Sequence, residues 1–374
     1  MNSAERHEAR YKRRKAQRAA RRQQLTEQYG TFNTVFDFDN LYRSYKMCCR
    51  GVGWKASTQR YKANALVNVN ETLRALRAGT YKGRGFFEFD IVERGKARHI
   101  KSVHISERVV QRCLCDFALV PMLGNSFIYD NGACMHNKGI DFAVNRLVCH
   151  LQRHYRKHGT NGYALVFDFS KYFDNIQHAP LKAIIGKAFS DPQIMRLVNG
   201  FIDDFGDIGL GLGSQISQIS ALAYPNKLDH YIKEVLRIKA YIRYMDDGVL
   251  IHESKDHLRV CLSEIKRICA ALGIKLNEKK TQIIKLSQGI TFLKRRFILT
   301  ETGAVIIKPA RKGITKMYHK LRTFKRWYDE GKMQLQDIQT SFVSWQGHIK
   351  HCNAYGVLQK INKYYYKLFG RLLL

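Results

Sequence analysis

No uninterrupted apolar run in this 374-residue chain approaches the roughly 20 residues that a membrane-spanning helix needs. The N-terminus lacks the short apolar core of a secretory signal. The nine cysteines, scattered from Cys48 to Cys352, offer no CxxC spacing; Cys113 and Cys115 lie inside an apolar stretch, and Cys48 adjoins Cys49. That pattern argues against a disulfide framework or a zinc site and for buried thiols in a reducing compartment. The expectation is an intracellular, cytoplasmic protein with no membrane association. Internal repeats and long flexible linkers are missing as well. Acidic residues are scarce: 31 Asp and Glu stand against 64 Lys and Arg, a formal net charge of +33. A folded protein this basic repels itself, so a polyanion is the natural partner, with a generally basic protein of no specific partner as the alternative.

What is present is enough for a packed interior, with 45% hydrophobic and 11% aromatic residues. Residues 1–24 are almost all polar and carry nine Arg and Lys between Arg6 and Arg22. Such a block reads as a disordered arm that turns helical on RNA or another polyanion, or else as a solvated tail. A helical pattern runs from Ser57 to Arg77 and stops at Gly79. Residues 86–103 read as two strands joined at Arg94-Gly95, and Ser106 caps a helix ending before Pro121. Further helices are expected over 139–158, 178–189, 191–205, 217–237 and 255–272. Strands are expected over 163–169, on both sides of 245–247, and in short pieces up to about 307. Basic helical segments follow to Leu374.

Two segments carry the chemistry. Tyr244-Met245-Asp246-Asp247 sits between the β-prone runs AYIRY and GVLIH, implying strand, tight turn, strand. Asp is depleted in strands and like charges at close quarters repel, so this is a poor structural choice unless a divalent cation offsets the repulsion. Asp168 lies at the end of the apolar run YALVFDF, where an unpartnered buried carboxylate is costly. Phosphoryl transfer between nucleotides uses two metals about 3.5–4 Å apart, and Mg²⁺ takes one or two carboxylates plus substrate phosphates. One carboxylate from one strand and two from a neighbouring hairpin meet that need. The bland alternative makes Asp168 and Asp174 strand-end and capping residues and Asp246-Asp247 a solvated turn. His150, His154 and His158 share one helical face, but Arg153, Arg156 and Lys157 surround them; a solvated or RNA-facing helix is expected there, not zinc.

FDFSKYFDNI (167–176) followed by YMDD (244–247) resembles motifs A and C of reverse transcriptases, and the resemblance extends over roughly residues 80–310. It implies that Asp168, Asp246 and Asp247 are catalytic and that these three, with Phe169, hold two Mg²⁺ ions, Mn²⁺ being the alternative. Phe173 takes the position that screens the sugar 2′-hydroxyl, an aromatic core residue being the other reading. KARHIKSV (96–103) resembles the segment that holds the incoming triphosphate, through Arg98 with Lys96 beside it; a basic edge strand is the alternative. LGIKLNEKKTQI (272–283) resembles motif D and puts Lys280 near the leaving pyrophosphate. TFLKRRF (291–297) resembles the primer grip, with Lys294 where glycine is usual. In NGACMHNKG (131–139), which resembles the end of motif 2, Met135 stands where Arg is common and Lys138 is left as the phosphate contact.

Most reverse transcriptases carry Gln-Gly-x-x-x-Ser-Pro where this chain has Leu212-Gly213-Ser214-Gln215-Ile216-Ser217-Gln218. The variant resembles the enzymes of diversity-generating retroelements, whose error-prone cDNA rewrites part of a target gene. It places Gly213 and Gln218 beside the templating base pair; a helix start capped by Ser217 is compatible with that. The resemblance implies an α+β right hand: a basic arm (1–24), fingers (25–160), a palm with the aspartates (161–307) and a helical thumb (308–374). The roughly 65 residues beyond the palm are too few for a nuclease domain by usual domain sizes. Implied partners are template RNA, primer and cDNA, dNTPs and a small basic accessory protein. The alternatives are a reverse transcriptase of phage defence or of group II intron type, and an RNA-binding protein with a relic site.

Overall fold

The computed structural model describes residues 2–93 and 96–370, without the side chains of Glu93, Lys96 and Arg98; the expected Arg94-Gly95 turn lies outside the described residues. Among the described residues nine strands pair antiparallel in three sheets, and helices fill most of the rest, so the chain is α+β. Two compact units divide it. One comprises residues 1–139, 169–235 and 265–276; the other comprises 140–168, 236–264 and 277–374.

The first unit is mainly helical. Residues Ser3–Tyr29 form one helix where the arm reads as disordered by composition. Ala, Arg, Lys and Gln are good helix formers, and Asn2 and Glu5 close a capping box that satisfies the first free amides. The expected 57–77 helix is two helices, Ala56–Ala63 and Ala65–Arg77, broken at Asn64 (φ −123°, ψ 40°). β1 (Phe86–Glu93) and β2 (Lys96–Val103) pair in full register, with Phe86 opposite Val103. The helix after them, Ile105–Leu114, is capped by His104, whose ring accepts from the Ser106 amide. Pro121 does not end helical structure: a π-helical stretch, Cys115–Leu119, carries the chain on into Val120–Gly124, and the proline falls in the first turn of that last piece. The long helix expected over 217–237 starts earlier, at Gln215, and stops at Ala223; Pro225 then interrupts it before Asn226–His230. Ser214 takes the N-cap position expected of Ser217, which is fully buried instead.

The second unit carries a four-stranded sheet in the order β4-β5-β3-β6. β3 (Tyr163–Asp168) pairs on both sides, with β5 (Asp247–His252) and β6 (Gln282–Lys285), while β4 (Tyr241–Tyr244) flanks β5. A strand paired on both sides and covered on both faces must be apolar nearly throughout, which is why YALVF precedes the aspartate. The helix Ile140–His158 presents Ala143, Val144, Leu147 and Leu151 to Ala164, Ile242, Val249 and Ile251 of this sheet. The same core takes in β7 (Ile290–Phe292) and β8 (Arg295–Leu299), which form a second sheet with β9 (Val305–Pro309). The last three helices, Arg311–Asp329, Leu335–Ile349 and Tyr355–Phe369, bury Met317, Leu321 and Phe324 against Ile338, Phe342, Ile361 and Tyr365. Those positions recur at three- and four-residue spacing, and Phe342 stacks on Tyr365 at 4.7 Å. No helix among the described residues is long and apolar enough to cross a membrane.

The histidine face of Ile140–His158 is not solvated. His150 and His154 are buried, and the His154 ring nitrogen Nε2 donates to the carbonyl of Asn161 at 2.6 Å. Its neighbours in sequence are basic and exposed, but a four-residue repeat next to the Leu147/Leu151 stripe lies on the inward side of the helix.

Candidate active site

The site grows from the register of two strands. Asp168, the last residue of β3, pairs with Asp247, the first of β5. Directly paired residues share a face of the sheet, with Cβ atoms about 4.5–5.5 Å apart, so the two carboxylates are forced together. Asp246 immediately precedes Asp247, in the two-residue turn that joins Tyr244 to Asp247. Met245 leads that turn at φ 53°, a left-handed angle uncommon for a side chain of its size. The fully buried Arg243 donates from Nη1 to the Met245 carbonyl at 2.8 Å and so fixes the turn from below. Gly248 follows the aspartates because Phe167 lies opposite it; a Cβ there would sit inside the Phe167 ring.

Asp168 is 5% exposed and is held on three sides. Lys280 Nζ donates to its Oδ1 at 2.6 Å, Asn277 Nδ2 to its Oδ2 at 3.2 Å, and the Asn277 amide to its carbonyl at 2.7 Å. The turn over Asn277–Thr281, in which the Lys280 and Thr281 amides both donate to the Asn277 carbonyl, delivers the lysine just before β6 begins.

Electrostatics follow from this crowding. Burial, then the charge of Asp246 and the hydrogen bond and charge of Asp168, push the Asp247 carboxyl up to about 7. Burial and Asp168 raise Asp246 as well, against the lowering influence of Lys280 and Arg243. For Lys280 burial disfavours the ammonium, but the hydrogen bond to Asp168 and the charges of all three aspartates outweigh it and raise the pKa. Three acidic groups share less positive charge than they need, a condition that a hard divalent cation relieves. As the side chains stand, no three His, Cys, Asp or Glu among the described residues form a ready ligand group for one ion. Mg²⁺ does not require one: it is held by one or two carboxylates, with substrate phosphates and water completing its shell. The hard oxygen donors present fit it in kind.

The other expected site residues lie in the first unit. Lys96 and Arg98 are on β2, their side chains outside the described residues. Phe169 is buried next to Asp168 in the chain; Phe173 is half-buried in a short 3-10 turn, its ring edge-on to Tyr172 at 5.8 Å. Gly213 holds φ 106°, an angle reserved for glycine, and Gln218 is exposed on the helix Gln215–Ala223. Lys138 donates from Nζ to the Tyr129 carbonyl and sits over that ring. Three residues escaped the sequence reading: Asn277, Arg243 and Gly248. An arginine inside an apolar strand was the legible sign for Arg243, and the glycine after two aspartates was the sign for Gly248. Asn277 carried no signal of its own.

The family model described as "Reverse transcriptase (RNA-dependent DNA polymerase)" matches residues 90–294, more than half of the chain. The chain belongs to that family. It is similar to protein YkfC of Escherichia coli (strain K12), at 25% identity over 54% of this chain and 64% of YkfC. Among solved structures it resembles apo telomerase from Candida tropicalis (TM-score 0.49, 13% identity, 77% of this chain and 60% of that one). It also resembles telomerase from Candida albicans in complex with a fragment of telomeric RNA (TM-score 0.46, 12% identity, 75% and 54%). The chain spans less than two thirds of the length of each.

Proposed function

We propose that this protein is an RNA-directed DNA polymerase whose catalytic carboxylates are Asp168, Asp246 and Asp247. The observation that carries the reading is the cross-strand pairing of Asp168 with Asp247 beside Asp246, inside the matched family domain. These three, with Phe169, would hold two Mg²⁺ ions, or Mn²⁺ in their place. When bound, the ions supply positive charge to the attacking 3′-oxygen and to the leaving pyrophosphate. The protein's own residues do the rest. The primer 3′-oxygen attacks the α-phosphorus of a dNTP paired to template RNA, and the bond to pyrophosphate breaks. Arg98 and Lys96 grip the triphosphate, Arg through its two-pronged fork. Lys280, kept protonated by its acidic neighbours, gives a proton to the departing pyrophosphate. Phe173 crowds a 2′-hydroxyl and so favours deoxynucleotides.

The fingers, palm and thumb follow the divisions 25–160, 161–307 and 308–374, preceded by the basic arm. The Leu212-to-Gln218 variant supports a narrower role, the error-prone enzyme of a diversity-generating retroelement. There it works in the cytoplasm on an element-encoded RNA with a small basic accessory protein. Gly213 and Gln218 then border the templating base pair and bear on fidelity.

The test is single-nucleotide extension of a DNA primer on an RNA template with Mg²⁺, comparing the wild type with Asp246→Ala. Loss of several kcal/mol of charge stabilisation lowers the rate by about 10³-fold or more. Equal incorporation by both proteins ends the polymerase reading. Sequencing the cDNA made in cells tests the narrower role, which requires errors concentrated at one template base.

A further inference from the structure

The N-terminal helix Ser3–Tyr29 is a surface without a use in the polymerase reaction. None of its residues is buried, and residues 2–24 are exposed throughout. Its arginines are ordered: Arg6, Arg10, Arg14, Arg18 and Arg22 recur every four residues. On a helix that spacing makes one continuous ridge, advancing about 6 Å and turning about 40° per step, so that it covers about 24 Å of the axis while winding partway around it. Lys12, Arg13, Lys15 and Arg21 widen the row, whereas only Glu5, Glu8 and Glu27 oppose it. Two of these acids are already committed, Glu5 to the capping box and Glu8 to Lys12 at 2.9 Å.

Like charges four apart disfavour a helix, and this one has four such arginine pairs in succession with no apolar face to repay them. The arrangement is a poor design for a free helix and a good one for a helix lying along a row of negative charges. Arginine, not lysine, supplies seven of the nine cations, and its planar fork matches phosphate oxygens two at a time. A lipid surface is a poor match, because amphipathic membrane helices need a buried apolar side and this one has none. The other end is tied down: Arg22 Nη2 donates to the Lys187 carbonyl at 2.7 Å, and Gly30 is buried against the helix end.

We infer that the Arg6–Arg10–Arg14–Arg18 row is a second nucleic-acid site, one that docks the phosphate backbone of RNA without reading its sequence. RNA is the occupant that fits a member of an RNA-dependent family, and its 2′-hydroxyls add acceptors for Gln17, Gln23 and Gln24 on the same helix. The site adds affinity and salt dependence and takes no part in the chemistry.

The experiment uses the full chain and a labelled 30-nucleotide RNA of arbitrary sequence, with binding followed by anisotropy across a salt series. The variant Arg6→Gln, Arg10→Gln, Arg14→Gln, Arg18→Gln spares Arg22 and its contact. Its log–log salt slope is expected to fall by about 3, at about 0.7 per lost single-strand contact, with affinity reduced at least tenfold at low salt. A second variant exchanges Arg6 with His7, Arg10 with Ala9 and Arg18 with Ala19, keeping the charge but breaking the row; it should lose most of the same affinity. Asp246→Asn should bind like the wild type, which separates failure of this site from failure of the catalytic reading. Three results overturn the inference: an unchanged slope in the Gln variant, full binding by the exchanged variant, or tighter binding to anionic vesicles or single-stranded DNA than to RNA.

Discussion

Two tight turns in the same compact unit invite comparison. Met245-Asp246 joins β4 to β5, and Leu293-Lys294 joins β7 to β8. Both hold bulky residues at positive φ: Met245 at 53° in the first, Leu293 at 48° and Lys294 at 63° in the second. Two successive positive angles are the mark of a type I′ hairpin, whose preferred residues are Asn-Gly. In the first turn the strained residue is clamped by Arg243 and aims two carboxylates at Asp168. In the second the strain sits where the reverse transcriptase pattern has glycine, and no charged cluster depends on it. Strain that positions a chemical group is worth keeping, whereas strain of the second kind is removable.

Breaking the first turn is the larger effect. Asp247→Asn removes a charge from the cluster but keeps its shape; nucleotide incorporation should drop by about 10³-fold. The thermal midpoint should hold or rise, because a crowded carboxylate has been neutralised. A fall in midpoint matching the fall in activity would show that the residue serves the fold. Next comes Gly248→Ala, which drives a methyl into the Phe167 ring; overpacking of this kind costs about 1–3 kcal/mol in a urea titration. An unchanged midpoint would mean that the ring is free to move aside. The second turn gives a smaller effect of opposite sign. Lys294→Gly should stabilise by about 1 kcal/mol, since glycine adopts the angle without steric cost. Destabilisation would show that the lysine side chain outweighs the strain.

The smallest effect lies away from both turns. Burial lowers the pKa of His154 and of His252, with nearby Glu253 opposing the shift and His158 acting with burial on His154, His257 on His252. Both groups bind protons less readily folded than unfolded, so their contribution is present above the ordinary histidine value of 6.5 and is lost as pH falls below it. Protonation of the crowded Asp247 acts in the opposite direction over the same range and is common to both proteins, so the test is the difference: on acidification the denaturant midpoint of His154→Gln should shift more favourably than that of the wild type. Parallel curves for the two proteins remove His154 from the explanation.

How much of this was legible in sequence differs by kind of signal. The run YALVFD identified a buried strand because apolarity on both faces leaves few other places for it. The β4–β5 turn was legible because β-prone residues flank two aspartates. Helix continuity was read less well. Pro225 stood in plain view, yet the apolar periodicity on either side of it suggested one helix; the break at Asn64 has no residue that demands it. The arm's helicity depends on a capping box at its very start, a local detail that composition hides. The burial of His150 and His154 was missed because their charged neighbours drew attention from the leucines that set the inward face. Lys280 and Asn277 reach Asp168 across more than a hundred residues, and only the pairing of β6 with β3 brings them there.

The central claim is that Asp168 and the Asp246-Asp247 turn, remote in sequence, act as one acidic cluster for divalent metal. Titration of Mn²⁺ into the full chain, read by electron paramagnetic resonance, tests it without any turnover. Saturable binding by the wild type, weakened at least tenfold by Asp168→Asn and again by Asp247→Asn, is the predicted result. Identical binding curves for all three proteins would contradict it.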